Sequence, residues 1–148
     1  MKKLIAFAFV FTITTLGYSQ TGKINICMID KKVLKMVQAD YDPTTGDTLI
    51  VTYGVKKTFA SVYPNNHKEY AAGTNWFMSG EKISGKGKTY IKYGLPRLLG
   101  TNEVERLTDY KGVGVYVEAG QKGRPEVIYI PVRLGCEFQP YQIEAIKR

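Results

Sequence analysis

The sequence has few of the side chains on which catalysis usually depends. Its 148 residues include one histidine, His67, and two cysteines, Cys27 and Cys136. A zinc site needs about four ligands, more than these three residues supply. The chain has no Gly-x-Ser-x-Gly elbow, no His-Glu-x-x-His motif and no dinucleotide-binding fingerprint. These absences disfavour the motif-defined enzyme classes, and we expect no metal and no cofactor.

Long apolar runs are absent beyond residue 16. Leu4–Leu16 is uncharged and largely apolar, follows Lys2 and Lys3, and precedes the small residues Gly17 and Ser19. As a helix this run would be about 20 Å long, too short for a hydrocarbon core of about 30 Å. The pattern predicts a secretory signal peptide over residues 1–19. We therefore expect an exported protein, periplasmic or extracellular, with no transmembrane segment in its mature part.

Internal repeats and linker-like stretches are also lacking, so residues 20–148 are expected to form a single β-rich domain. Fifteen glycines and eleven tyrosines favour turns and strands over long helices. We predict a mainly β fold, a small sandwich or barrel of short antiparallel strands with one or two short helices. An α+β arrangement is the alternative.

Alternating side chains locate several of the strands. Val113, Val115 and Val117 alternate with other residues, and Val127–Ile130 is expected to pair back on that strand. Residues 33–53 are expected to form a hairpin around a turn rich in aspartate, proline and glycine.

Other segments carry weaker signals. Thr101–Leu107 is predicted to be a short helix, and His67–Ala72 one helical turn. Trp76–Met78 is predicted to begin a further β region. Pro131 has no N–H to donate, so its strand should be an edge or carry a bulge there.

The two cysteines are predicted to form a disulfide in an oxidising compartment. Cys27 lies near the start of the mature chain and Cys136 near its end. A bridge between them would join the first mature strand to the last. Two buried thiols are the alternative.

Negative charge is scarcer than positive charge. The chain has 13 Asp and Glu residues and 21 Lys and Arg residues, which gives a formal net charge of +8. Lys86, Lys88, Tyr90 and Lys92 would share one face of a strand. Together with Trp76 they form the candidate ligand-binding group, and a solvated strand face is the alternative. Export disfavours nucleic acid, so we expect an anionic glycan or another envelope protein as the partner.

The stretch that runs from Lys92–Arg97 to Cys136–Tyr141, roughly the C-terminal third of the chain, resembles small uncharacterised secreted proteins of diderm bacteria. This resemblance implies export and carries no activity with it. The sequence thus predicts a non-catalytic binding or scaffolding module of the bacterial envelope. The alternative is a small secreted hydrolase or a hydrolase inhibitor, in which His67 would act with a carboxylate brought close by folding.

Overall fold

The structure is a computed structural model that describes residues 22–85 and 87–145. The predicted signal peptide and Lys86 of the candidate ligand-binding group lie outside these ranges. Strands account for 52% of the described residues and helices for 10%, which confirms a mainly β fold with short helices. Within the described ranges, no helix has the length and apolar character needed to cross a bilayer.

The elements are short, and their bounds are as follows. The strands are β1 (Gly22–Asp30), β2 (Val33–Tyr41), β3 (Thr48–Thr52), β4 (Val55–Thr58), β5 (Ile83–Gly85), β6 (Lys88–Lys92), β7 (Arg97–Leu98), β8 (Val104–Tyr110), β9 (Val113–Glu118), β10 (Val127–Arg133) and β11 (Glu137–Ile143). The helices are α1 (Phe59–Val62) and α2 (Asn75–Met78), and a 3₁₀ turn spans Asn66–Glu69.

The first four strands form an antiparallel sheet in chain order. Lys31–Lys32 and Tyr53–Gly54 have positive φ at both residues and close two-residue hairpins. Turns of this kind match the right-handed twist of the strands that they join. β2 and β3 pair across the Asp42–Asp47 turn, which confirms the hairpin predicted for residues 33–53.

The other seven strands form a second antiparallel sheet in the order β5-β6-β11-β10-β9-β8, with β7 paired to the start of β11. The last strand therefore lies in the middle of the sheet. Val113–Val117, Ile128–Pro131 and Phe138–Tyr141 are continuous buried runs on its three central strands. Because side chains alternate between the faces of a strand, both faces of this sheet must be covered.

The seven-stranded sheet curls into a half-barrel. Its edge strands β5 and β8 approach each other, and Ile83 and Leu107 from these edges line one cavity. The Tyr110 hydroxyl donates to the Glu81 carboxylate at 2.6 Å, and Lys111 Nζ contacts the same carboxylate at 2.6 and 2.7 Å. Among the described residues no strand pairing joins β5 to β8. We call this gap, tied at one end by Glu81, the seam.

Each face of the half-barrel has its own core. The concave interior holds the buried side chains of Ala71, Trp76, Phe77, Ile83, Tyr90, Val113, Val115, Val117, Ile128, Ile130 and Tyr141. The convex face packs against β1 through a second cluster made of Cys27, Ile29, Tyr70, Leu99, Val104, Tyr116, Tyr129, Cys136 and Phe138. Trp76 and Phe77 of α2 thus help to fill the concave interior. β1 attaches the four-stranded sheet to the convex face of the half-barrel.

The predicted disulfide between Cys27 and Cys136 is present, with 5.2 Å between the two Cα atoms. It joins β1 to the turn that precedes β11. Beside it, the Gly135 N–H donates to the Cys27 carbonyl at 2.9 Å. The Ile29 N–H donates to the buried Tyr70 hydroxyl at 3.1 Å, which adds a polar contact to the covalent one.

The helix predicted over Thr101–Leu107 is wrong. A turn ends at Glu103, whose carboxylate accepts the Gly100 N–H at 2.5 Å, and β8 then begins. Val104 is buried and lies opposite Glu118 on β9. Pairing with a long neighbouring strand outweighs the weak local preference for a short helix.

The β region predicted at Trp76–Met78 is also wrong, because these residues belong to α2. Trp76 and Phe77 are adjacent and both lie in the concave interior. A strand would send neighbouring side chains to opposite faces, whereas one helical turn lets both of them point inward.

Pro131 lies in an interior strand, so of the two predicted options the bulge is the correct one. The register between β10 and β11 shifts between Pro131 and Arg133. The Pro131 and Val132 carbonyls accept the N–H groups of Ala71 and Ala72 at 2.9 and 3.0 Å. The chain before α2 is therefore hydrogen-bonded to the part of β10 where the register shifts.

Candidate functional site

A cavity of about 310 Å³ lies at the seam. Ligand pockets are typically about 300–1,000 Å³ in volume and often lie in the mouths of β-barrels. The cavity is lined by Ile83, Ser84, Gly85, Lys88, Tyr90, Leu107, Thr108, Asp109, Tyr110, Val115, Gly123, Arg124, Pro125 and Ile128. We call it the seam cavity.

The floor of the seam cavity is apolar. Val115 and Ile128 are 2% exposed, Ile83 is 3% exposed and Tyr90 is 7% exposed. These side chains belong to the concave interior cluster, so the packed core holds the floor in place. Aliphatic side chains offer no hydrogen-bond partners, and this floor therefore favours an apolar group above it.

The rim of the seam cavity carries one acidic and two basic side chains. The Asp109 carboxylate forms ion pairs with Lys32, at 2.9 Å, and with Arg106. Lys88 and Arg124 form no ion pair with any carboxylate in residues 22–85 or 87–145. The charge left over at the rim is therefore positive.

Tyr90 connects the two segments that bear these cations. Its hydroxyl donates to the Pro125 carbonyl at 2.9 Å, next to Arg124 in the chain. Lys88 lies two residues from Tyr90 on the same face of β6. Burial raises the pKa of Tyr90, and the positive charge of the Arg124 guanidinium opposes that rise. The Tyr90 hydrogen bond thus joins the Pro125 carbonyl, next to Arg124, to β6, the strand that carries Lys88.

The structure brings together only part of the predicted ligand-binding group. Lys88 and Tyr90 line the seam cavity, whereas Trp76 and Lys92 do not. Trp76 is buried in α2, where its ring meets the Tyr110 ring edge-on at 5.2 Å. Lys92 Nζ donates to the Phe77 carbonyl at 3.0 Å and lies 3.7 Å from the centre of the Phe77 ring. Burial against this helix lowers the pKa of Lys92.

Most of the site was missed by sequence reasoning, since only Lys88 and Tyr90 of its lining residues belong to the predicted group. Leu107–Tyr110 come from β8, across the seam, and Arg124 comes from a turn that the sequence marks only as polar. Nothing in the local pattern of these residues places them beside β6. The one useful signal is the succession of Gly123, Arg124 and Pro125 before a strand, which marks a loop that carries a cation.

His67 lies apart from the seam cavity, on the 3₁₀ turn. It is exposed and lines a shallow groove together with Tyr63, Tyr70 and Arg133. Among the described residues neither a hydrogen bond nor an ion pair joins its imidazole to a carboxylate. General acid–base catalysis needs a positioned partner, and the described geometry supplies none for His67.

In the described ranges, no three or more His, Cys, Asp or Glu side chains group in a way that could hold a metal ion. The seam cavity is lined by neither histidine nor cysteine, and its single carboxylate is already ion-paired. The cavity offers an apolar floor and two cations to a ligand.

Comparison of the chain with models of protein families, with curated proteins and with solved structures finds no match in any of the three. The function is therefore argued from the geometry of the seam cavity alone.

Proposed function

We propose that this chain is an exported, non-catalytic binding module and that its ligand occupies the seam cavity. The observation that carries the proposal is the cavity itself, an apolar concavity at the unclosed side of a half-barrel. Both edges of the same sheet line it, and its floor belongs to the main core. Sites of this kind are concave, largely apolar and formed before the ligand arrives.

The shape of the cavity supports a small ligand over a large one. About 310 Å³ lies at the lower end of the range for ligand pockets. A sugar ring would set its hydroxyl groups against Val115 and Ile128, which cannot hydrogen-bond to them. We therefore favour a ligand with a small apolar body over the glycan expected from the sequence.

The cellular setting is part of the same proposal. A disulfide persists in oxidising compartments, and the pairing of Cys27 with Cys136 is compatible with export. The module would then meet its ligand in the periplasm or outside the cell. A second envelope protein would there recognise the ligand-bound form of the module.

The proposal is tested by blocking the cavity. Gly85 lies on the same face of β5 as Ile83, lines the cavity and has open space around the position of a Cβ, so Gly85→Trp should fill the cavity without disturbing the core. We expect the wild-type protein to bind the neutral apolar dye phenylnaphthylamine with increased fluorescence. The Gly85→Trp variant should bind it at least about tenfold more weakly.

The matched control is Thr101→Trp, which adds the same ring at an exposed position that does not line the cavity. This variant should bind the dye as the wild type does. If Gly85→Trp binds the dye as tightly as the wild type does, or if the wild type binds neither this dye nor an anionic dye with the same ring system, the seam cavity is not a ligand site.

A further inference from the structure

We infer that the ligand of the seam cavity is an amphipathic organic anion, with its apolar body on the cavity floor and its acidic group between Lys88 and Arg124. This inference rests on the proposed function and names the chemical class of the ligand. It follows from the coexistence of an apolar floor and unpaired cations within one cavity of the described structure.

The two cations are distinguished from the other basic residues near the seam. Lys82 is bound to Glu144 at 2.6 Å, and Lys111 is bound to Glu81. Lys32 is engaged by Asp109. Each of these charges already has a carboxylate partner, so an incoming anion would gain little from them.

Lys88 and Arg124 have no such partner among the described residues, and both line the cavity. The Lys88 side chain is half-buried, so its ammonium group lies at the boundary between the apolar floor and water. Hydrogen bonds to charged groups in such positions are stronger than those between neutral groups. An anion placed there would complete the charge balance of the rim.

The rim also selects against other ligands. A cation would meet two positive charges and only one carboxylate, and that carboxylate is held by Lys32 and Arg106. A neutral apolar molecule would fill the floor but leave both cations solvated. A carboxylate, sulfonate or phosphate on an apolar ring or chain satisfies both regions.

The planar guanidinium of Arg124 is suited to two parallel hydrogen bonds with an oxyanion, whereas the Lys88 ammonium acts as a point charge. Arg124 lies next to Pro125, whose carbonyl is held by Tyr90 at 2.9 Å. Fixing this carbonyl limits how far the Arg124 backbone moves when the ligand binds. The loop that includes Gly123 and Arg124 is therefore anchored before binding.

The experiment compares two dyes with the same ring system, neutral phenylnaphthylamine and anionic anilinonaphthalene sulfonate. We expect the wild-type protein to bind the sulfonate at least about tenfold more tightly than the neutral dye. Added salt should weaken the binding of the sulfonate and leave that of the neutral dye nearly unchanged.

The charge variants are Lys88→Gln, Arg124→Gln and the double substitution. Each single change should weaken sulfonate binding, and the double change should bring it to the level of the neutral dye. Neutral-dye binding should stay as in the wild type, because the floor is untouched. Lys122→Gln, an exposed change two residues from Arg124, is the matched control and should have no effect.

The outcomes separate the two proposals. If Gly85→Trp weakens the binding of both dyes but the wild type binds the sulfonate no more tightly than the neutral dye, the cavity is a ligand site and the inference of an anion is wrong. If the wild type binds neither dye, the proposed function itself fails. If Lys122→Gln weakens sulfonate binding as much as Arg124→Gln does, the attraction is a general surface effect, and the inference is again overturned.

The nature of the acidic group is read from a second series, naphthoate, naphthyl sulfate and naphthyl phosphate. Tighter binding of one member in the wild type, lost in the double variant, identifies the headgroup that the rim accepts. Equal binding of all three, also lost in the double variant, supports recognition of anionic charge alone. Binding that survives in the double variant contradicts the role of Lys88 and Arg124.

Discussion

The two sheets of this chain are both antiparallel, but they differ in how far apart in the chain their neighbouring strands lie. The four-stranded sheet runs in chain order throughout, with neighbouring strands joined by turns. In the seven-stranded sheet β8 to β11 also follow chain order, but β11 then pairs with β6, which is distant in the chain. The first sheet is assembled from local contacts alone, whereas the second needs a long loop to close before β5 and β6 can join it.

The two sheets also differ in how many of their residues are buried. The central strands of the large sheet are buried over four or five consecutive residues, whereas β2 and β3 each contain a single buried residue. β4 is exposed throughout. The small sheet therefore depends on β1 and its disulfide for attachment to the hydrophobic core, while the large sheet carries most of the core itself.

The largest contrast should come from removing one apolar side chain from each sheet. Phe138→Ala, in the fully buried part of β11, should lower the free energy of unfolding by about 3–5 kcal/mol. Ile50→Ala, in the small cluster under α1, should cost about 2 kcal/mol because its partly exposed neighbours can collapse into the space. Urea unfolding measures both, and equal losses would contradict the proposed division of the core.

Breaking the disulfide should have the next largest effect. The double substitution Cys27→Ser and Cys136→Ser should cost about 2–4 kcal/mol. Amide hydrogen exchange should become faster in β1 and β2 than in β9 to β11, because the small sheet loses its covalent attachment. Met36→Ser, an exposed change opposite Cys27, is the control and should leave both patterns unchanged.

Alkaline pH should act mainly on the large sheet. Burial raises the pKa of Tyr116 and of Tyr141 to about 12, above the ordinary value of 10.0. Their contribution to stability is complete below pH 10 and is lost as the pH rises towards 12, since the unfolded chain releases these protons first. Each group should account for about 2–3 kcal/mol of this loss.

The pH prediction is checked by urea unfolding at a series of pH values from 9 to 12. Tyr116→Phe should show a smaller decline than the wild type, whereas Tyr53→Phe, at a fully exposed residue, should follow the wild-type curve. A Tyr116→Phe curve as steep as that of the wild type would contradict a buried neutral hydroxyl at this position.

The smallest of these effects concerns the hydrogen bond between Ile29 of β1 and Tyr70. Tyr70→Phe removes the hydroxyl that accepts the Ile29 N–H and leaves a buried donor without a partner. Thermal unfolding should show a loss of about 1–2 kcal/mol. Tyr41→Phe, at an exposed position of β2, should change stability by no more than about 0.5 kcal/mol.

The same contrast explains which features could be predicted from the sequence. The 33–53 hairpin and the alternation at Val113–Val117 are local patterns, and both appear in the structure as predicted. Thr101–Leu107 was predicted as a helix from its own capping residues, whereas β8 is defined by a hairpin with β9 whose turn and partner strand lie outside that stretch. Trp76–Met78 was predicted to begin a β region, but the interior that Trp76 and Phe77 fill is formed by residues distant in the chain.

The residues of the candidate site could likewise be predicted only where they are close together in the chain. Lys88 and Tyr90 could be placed on one face because they share a strand. Arg124 and Leu107 could not be assigned to the site, since they reach it only after the sheet has curled and brought β8 towards β5. A site made by the closure of a sheet has no signature in any single stretch of sequence.

The position of the disulfide also determines how the molecule responds to mechanical load. A pull on the chain before Cys27 and after Cys136 is transmitted through the sulfur–sulfur bond, directly from β1 to the start of β11. The intervening chain, with a separation of 109 positions, stays out of the path of the force. This segment would be roughly 360–390 Å long if fully extended, and it cannot be stretched by such a pull until the disulfide is reduced.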